Sequence, residues 1–170
     1  MAKAGGDSSL KLVTDANVWI DLDNGGLVAL TFALPYEFAS PNIVVAELQG
    51  ELGGLVADQG LRVVPREMAT SEQWFAMRRR YARPSDADIE ALLLAIEWGS
   101  GLLTGDKDLR RAAEAAGLVV HGVLWVLDEL VGTKLLAPRG ATRALRAMLE
   151  KGAHLPEDEC RRRMIDWGRP

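Results

Sequence analysis

The stretch SDADIEALLLAIEWGSGLLTGDKDLRRAA, residues 85–113, decides the fold. Ser85 or Asp86 is a capping residue for a helix in which Ile89, Leu92, Leu93 and Ile96 recur at helical spacing until Gly99. Leu102 and Leu103 then make a short buried strand that ends at Thr104-Gly105-Asp106. A second helix runs through Ala116 and stops at Gly117, where a left-handed C-cap is expected. Helix, strand and helix at this spacing imply right-handed crossovers and a mainly parallel sheet.

The same alternation extends outward on both sides. Upstream, Leu10 to Ile20 is β-rich and apolar, and is expected as a buried first strand containing Asp15. Gly25 to Leu34 reads as a helix closed by Pro35, and Glu37 to Ser40 as a short strand before Pro41. Asn42 is expected to cap a helix carrying Ile43, Val44, Glu47, Leu48 and Glu51. Leu61 to Val64 reads as a strand, and Thr70 to about Ala82 as a helix that Pro84 ends. Downstream, Leu118 to Gly122 returns as a strand, and Leu124 to Trp167 is helical with breaks near Gly132, Pro138 and Pro156. The expected architecture is a three-layer α/β/α sandwich with a mainly parallel central sheet. Its expected divisions are a disordered tail at 1–9, an α/β domain at 10–122 and a helical extension at 123–170 packed on that domain.

Composition narrows the function classes. With 48% apolar and 26% charged residues, the chain has the balance of a globular domain. No apolar run is long enough to span a membrane, and MAKAGGDSSLKL lacks the basic and apolar regions of a signal peptide, so a cytoplasmic location is expected. The one cysteine, Cys160, has no internal disulfide partner, and its acidic and arginine neighbours suggest exposure. A net charge of −4 does not favour a phosphate ligand, but the arginines are grouped: Arg78, Arg79, Arg80 and Arg83, then Arg110 and Arg111, then Arg139, Arg143, Arg146 and Arg161 to Arg163. Such groups are either solvated helix faces or contacts for a nucleic-acid backbone, and Arg78 to Arg80 would equally receive an acidic protein segment.

In an open parallel sheet, ligands collect beyond the carboxyl ends of the strands. That rule selects Asp15 in TDAN and Asp106 in LLTGD, and helix starts near the same rim would bring in Glu47 and Asp88. Converging carboxylates repel unless their pKa values rise or a cation sits among them, and oxygen ligands suit Mg²⁺ or Mn²⁺. Such a site activates water and stabilises charge on a phosphoryl oxygen, which is the chemistry of phosphodiester hydrolysis. Each acid taken alone is equally well read as a cap or surface charge.

Taken together, TDANVWIDL (14–22), VVAEL (44–48) and the 85–113 stretch resemble the three acidic motifs of PIN-domain nucleases in order and approximate spacing, over Leu10 to Gly122. The resemblance implies that Asp15, Glu47, Asp88 and Asp106 are catalytic and hold one or two Mg²⁺ or Mn²⁺ ions. It places Asn17 and Thr104 in a supporting position. Asp88 fits the family spacing to Asp106 better than Asp86 does, and Asp108 would reach the metal from the next turn or serve as a helix-start charge. The stretches GLVVHGVLWVLDELVGTKLLAP (117–138) and LPEDECRRRMIDWG (155–168) look like the C-terminal extension of a PIN subgroup. Members similar to the VapC ribonucleases are toxins of toxin-antitoxin pairs, so the resemblance implies an RNA substrate, a cognate antitoxin and a homodimer. The alternative is a PIN-like module that binds RNA or protein without cutting.

Other motifs are weaker. Asp21 and Asp23 echo the paired acids of dehalogenase-type phosphatases but precede a Gly-Gly turn, and capping explains them better. His121 and His154 lack metal-ligand spacing. Trp19, Trp98 and Trp125 sit among apolar neighbours and belong to the core, whereas Trp74, beside Phe75 and the arginine run, is either a core residue or a platform for an unpaired base.

Overall fold

Strands buried on both faces read as continuous apolar runs, and Val13, Leu102 and Leu103 are fully buried. In the computed structural model, which describes residues 11–66 and 71–169, these runs form a five-stranded sheet in which every pairing is parallel. The strands are β1 (Lys11–Thr14), β2 (Glu37–Pro41), β3 (Arg62–Val64), β4 (Gly101–Leu103) and β5 (Val120–His121), in the spatial order β3-β2-β1-β4-β5. The chain lays strands outward on one side of β1, then returns across it to β4 and continues on the other side. The switch point falls between β1 and β4, where Thr14 pairs with Leu103.

Ten helices among the described residues connect and cover the sheet: α1 (Ala16–Asn24), α2 (Val28–Thr31), α3 (Asn42–Ala46), α4 (Leu52–Gln59), α5 (Glu72–Arg80), α6 (Asp86–Trp98), α7 (Lys107–Ala115), α8 (Val123–Gly132), α9 (Pro138–Glu150) and α10 (Glu157–Trp167). Crossovers of one hand that run in opposite directions from a switch point put their helices on opposite faces. Accordingly α6 lies against β1, β2 and β4 with α7 beside it, while α1 packs with α4, α8 and α9. The protein is an α/β sandwich. No helix among the described residues is long and apolar enough to cross a membrane.

Of the repeat Ile89, Leu92, Leu93 and Ile96, the first three are buried and Ile96 is exposed, while Ala87, Glu90, Ala91, Leu94 and Ala95 extend the burial of α6 beyond that one face. Its one buried charge, Glu90, is neutralised by Arg66 Nε at 2.6 Å, and the same guanidinium forks onto Glu97 at 2.8 and 2.9 Å. Ser85 and Asp88 form a reciprocal capping box at its start, and Gly99 closes it in the left-handed region at φ 57°.

Several sequence expectations are corrected. The first strand stops at Thr14 rather than Ile20, because the Asp15 side chain accepts from the Val18 amide and starts α1 there. Between Gly25 and Leu34 only the single turn α2 is helical. Asn42 lies inside α3 and does not cap it; its side chain instead accepts from the Arg66 amide at 2.9 Å. The expected helix is also broken, with Glu47 as the C-cap of α3 and Gly50 at φ 64° before α4. Cys160 is buried, not exposed, because α10 turns it onto the core beside Trp167 while its charged neighbours face outward. The tail at 1–9, Leu10 and Thr70 lie outside the described residues.

Candidate active site

Three helices start at one rim of the sheet, and three of the selected aspartates mark those starts. Asp15 is the N-cap of α1, Asp106 is the N-cap of α7, and Asp88 is the third residue of α6, bonded back to Ser85. Carboxylates are favoured there because the first amides of a helix lack partners and carry partial positive charge.

Asp15 is 1% exposed. Its Oδ1 accepts from the Val18 amide at 3.0 Å, and its Oδ2 accepts a short hydrogen bond from the Thr104 hydroxyl. The Thr104 oxygen in turn accepts from the Asp106 amide at 3.0 Å, so one buried threonine ties the end of β1 to the loop after β4. The Asp15 amide completes this junction by donating to Leu103 O at 3.1 Å. Beneath it, Thr14 Oγ1 meets Ser40 Oγ at 2.6 Å and accepts from Trp19 Nε1 at 2.6 Å, which locks α1 to the first two strands.

The electrostatics tie the four acids together. Burial pushes the Asp15 carboxyl up to about 7; hydrogen bonds from Thr104 and Val18 oppose the rise, and the charge of Asp88 adds to it. Asp88 is itself raised by burial and by Asp106, against the pull of its bonds to Ser85. Glu47 is raised by burial and by Asp88, although as a residue it is exposed. Asp88 is thus the hub between two strand ends and the α3 terminus. Among the described residues, however, no three His, Cys, Asp or Glu side chains stand close enough together to hold an ion. Asp88 Oδ2 is engaged by the Ser85 amide at 2.8 Å and Asp106 Oδ1 by the Leu109 amide at 2.7 Å, and the other oxygen of each carboxylate accepts no hydrogen bond among the described residues.

The remaining predicted residues are less central. Asn17 is exposed and lines a cavity of about 490 Å³ together with Asp106 and Asp108. Asp108 is in the first turn of α7, 3.7 Å from the exposed Arg83. Arg78 donates to Pro84 O and lies 3.5 Å from Asp86, so it braces the α5–α6 turn. Arg79 and Arg80 are exposed on α5. Trp74 is buried against Ile89 and Leu93, so its ring is core and not a platform for a base. Asp21 sits within α1 rather than at a strand end, which removes the phosphatase reading. Its carboxyl is pushed up to about 6 by burial, with His154 opposing.

Sequence reasoning missed the other wall of the cleft. Lys107, Lys151 and His154 line the same cavity as Asp106, and the last two come from the turn between α9 and α10. The Lys107 position next to Asp106 was the one available signal. Nothing local in the sequence brings residues 151–155 to this rim.

Fold and rim together define an α/β protein with an acidic site at the switch point of a parallel sheet. The particular family follows from comparison: a family model described as PIN domain matches residues 11–169, and the chain belongs to the PIN-domain family, whose fold is that of nucleases. Among solved structures, the chain is similar to a PilT N-terminus domain protein from the hyperthermophilic archaeon Sulfolobus solfataricus P2. Identity is 15% and the TM-score 0.48, with 69% of this chain and 91% of that one covered. No curated protein matches the chain.

Proposed function

We propose that the protein is a metal-dependent endoribonuclease in which Asp15, Glu47, Asp88 and Asp106 bind one or two Mg²⁺ or Mn²⁺ ions. The observation that carries this reading is the electrostatic coupling of four acids from separate parts of the chain, centred on Asp88. The donor set fits a hard dication: it is all carboxylate, and three of the acids are raised by burial first and by a neighbouring acid second, a state that a nearby positive charge relieves. Asp88 and Asp106 would each offer the ion the carboxylate oxygen that no group among the described residues engages. Bound there, the metal supplies charge stabilisation to a phosphoryl oxygen and acidifies water.

The chain's own residues hold and move the rest. Thr104 fixes the Asp15 carboxylate and the Asp106 loop against each other. Ser85 fixes Asp88. Glu47 is exposed, accepts no hydrogen bond among the described residues and is raised toward neutrality, so it orients the attacking water or takes its proton. Hydrolysis of this kind leaves a 5′-phosphate and a 3′-hydroxyl. Family resemblance further supports a toxin acting in the cytoplasm as a homodimer and held by an antitoxin, with the helices after residue 122 extending the nuclease core. A non-catalytic binding module is favoured by one observation, that Asp15, Asp88 and Asp106 are each accounted for as helix-start residues.

Cleavage of end-labelled single-stranded RNA by wild type and Asp106→Asn, with Mn²⁺ or Mg²⁺ and with chelator, separates the two. The nuclease cuts only with metal and Asp106 present. Wild-type protein that is folded, binds RNA and leaves it intact under all these conditions is the binding module.

A further inference from the structure

Beside the acidic rim lies a second cavity of about 460 Å³, between the start of α8 and the α9–α10 turn. It shares Gly105, Lys107, His154 and Leu155 with the cavity that contains Asp106, so the two form one groove across the ends of β4 and β5. Its walls are of two kinds. His121 and Trp125 stack with ring centroids 4.0 Å apart and planes 15° apart, and Leu155 and Pro156 continue the apolar surface. Lys107 lines it with positive charge, whereas the Arg110 guanidinium donates to Thr104 O and Val120 O and lies 3.8 Å from Glu114, and that of Arg163 is neutralised by Asp128 and Glu159. Lys107 is exposed, adjoins Asp106 and forms no ion pair among the described residues.

We propose that this second cavity is a nucleobase subsite, which receives the second base from the scissile phosphate of a single-stranded RNA while Lys107 holds the intervening phosphate. The inference rests on the nuclease reading and adds the course of the substrate: the strand crosses from Asp106 toward His121 and Trp125, away from α5. The facing surfaces of His121 and Trp125 cover each other and Trp125 also packs against Tyr36, so a base would lie on the aromatic and apolar surface that remains, and stacking is available only to an unpaired base. The size is that of a small-molecule pocket, large enough for one nucleoside. The arrangement also gives the last helices a role, because Leu155, Pro156 and Arg163 form one wall of the subsite.

The test uses the full-length Asp106→Asn protein and short single-stranded RNAs, each with one photoreactive thiouridine moved along its length. Crosslinked peptides are mapped by mass spectrometry. Crosslinks to peptides containing His121 to Trp125 or His154 to Pro156 are expected. In parallel, Lys107→Glu is expected to weaken RNA binding about tenfold without changing the melting temperature, since the side chain is exposed. Crosslinks confined to α5, with Lys107→Glu binding as wild type, would overturn the subsite; if wild type still cuts in an Asp106-dependent way, the nuclease reading survives that loss. Crosslinks in the subsite of a protein that never cuts would leave the binding site and remove the nuclease. No RNA binding and no cutting would remove both.

Discussion

The rim at the switch point and the arginine helix α5 both stand out in the sequence, and they are built in opposite ways. At the rim, Asp15 is held by Val18 and Thr104, Thr104 by Asp106, and Asp88 by Ser85, so each charge is positioned by groups from another segment or by a helix start. On α5, Arg79 and Arg80 face solvent, and the best-ordered member, Arg78, is spent on the Pro84 carbonyl and Asp86. A charge in low dielectric has large effects on its neighbours, whereas an exposed one is screened. Mutations at the two places should therefore differ by orders of magnitude.

The largest effect is expected at Asp106. Asp106→Asn keeps an oxygen to cap α7 through the Leu109 amide, so the fold should survive. Loss of one anionic group that positions or stabilises reacting charge should lower RNA cleavage about a thousandfold. Single-turnover rates at saturating Mn²⁺ measure this; a variant that cuts within tenfold of wild type would remove Asp106 from the machinery.

Thr104→Val comes next. Valine fills the same buried space but takes the hydroxyl away from Asp15 and the acceptor away from the Asp106 amide. A loss of about 10- to 100-fold in cleavage or metal affinity is expected, as for other groups that orient a ligand. Thr104→Ser should recover most of it. If serine and valine behave alike, the hydroxyl is not what matters.

How much of this was legible in the sequence depends on distance along the chain. The capping box at Ser85 and Asp88, the strand at Leu102 and Leu103 and the stop at Gly117 are local signals, and they appear where spacing and cap chemistry put them. Val18, Trp19 and Ile20 are equally good strand formers, so the sequence pattern extends the first strand too far; a cap at Asp15 and burial of Trp19 against Phe32 and Phe38 decide for helix. At Cys160 the local pattern misleads for the mirror reason, since its charged neighbours describe the other face of α10. The coupling of Asp88 to Asp15, and the return of residues 151–155 to the rim, depend on tertiary placement and leave no local trace.

The buried position of Asp15 gives a third, smaller effect on stability. Its folded pKa of about 7 exceeds its ordinary 3.8, so the fold holds a proton that the unfolded chain releases. The stabilisation is complete below about 3.8 and is lost as pH rises through about 7. In chelator, wild type should therefore lose melting temperature over that range and Asp15→Asn should not. Above pH 7 the variant should melt higher, by about 5 °C. Adding Mn²⁺ should raise the wild-type melting temperature and leave the variant nearly unmoved. Parallel pH profiles for the two proteins in chelator would show that the carboxyl is not strained by burial.

The smallest effect is expected on α5, and it tests the comparison most directly. Both Arg79 and Arg80 are exposed, and Arg80 rests 5.4 Å over the Tyr81 ring rather than against an acid. If the strand runs past Lys107 and away from α5, their contribution to RNA binding is long-range attraction, which salt screens within about 10 Å at 0.1 M. The double variant Arg79→Ala, Arg80→Ala should thus cut within about threefold of wild type at moderate salt, with a larger deficit only at low salt. A deficit that persists at high salt would mean direct contact with the strand, and would place the substrate path on α5 instead of along the groove past Lys107.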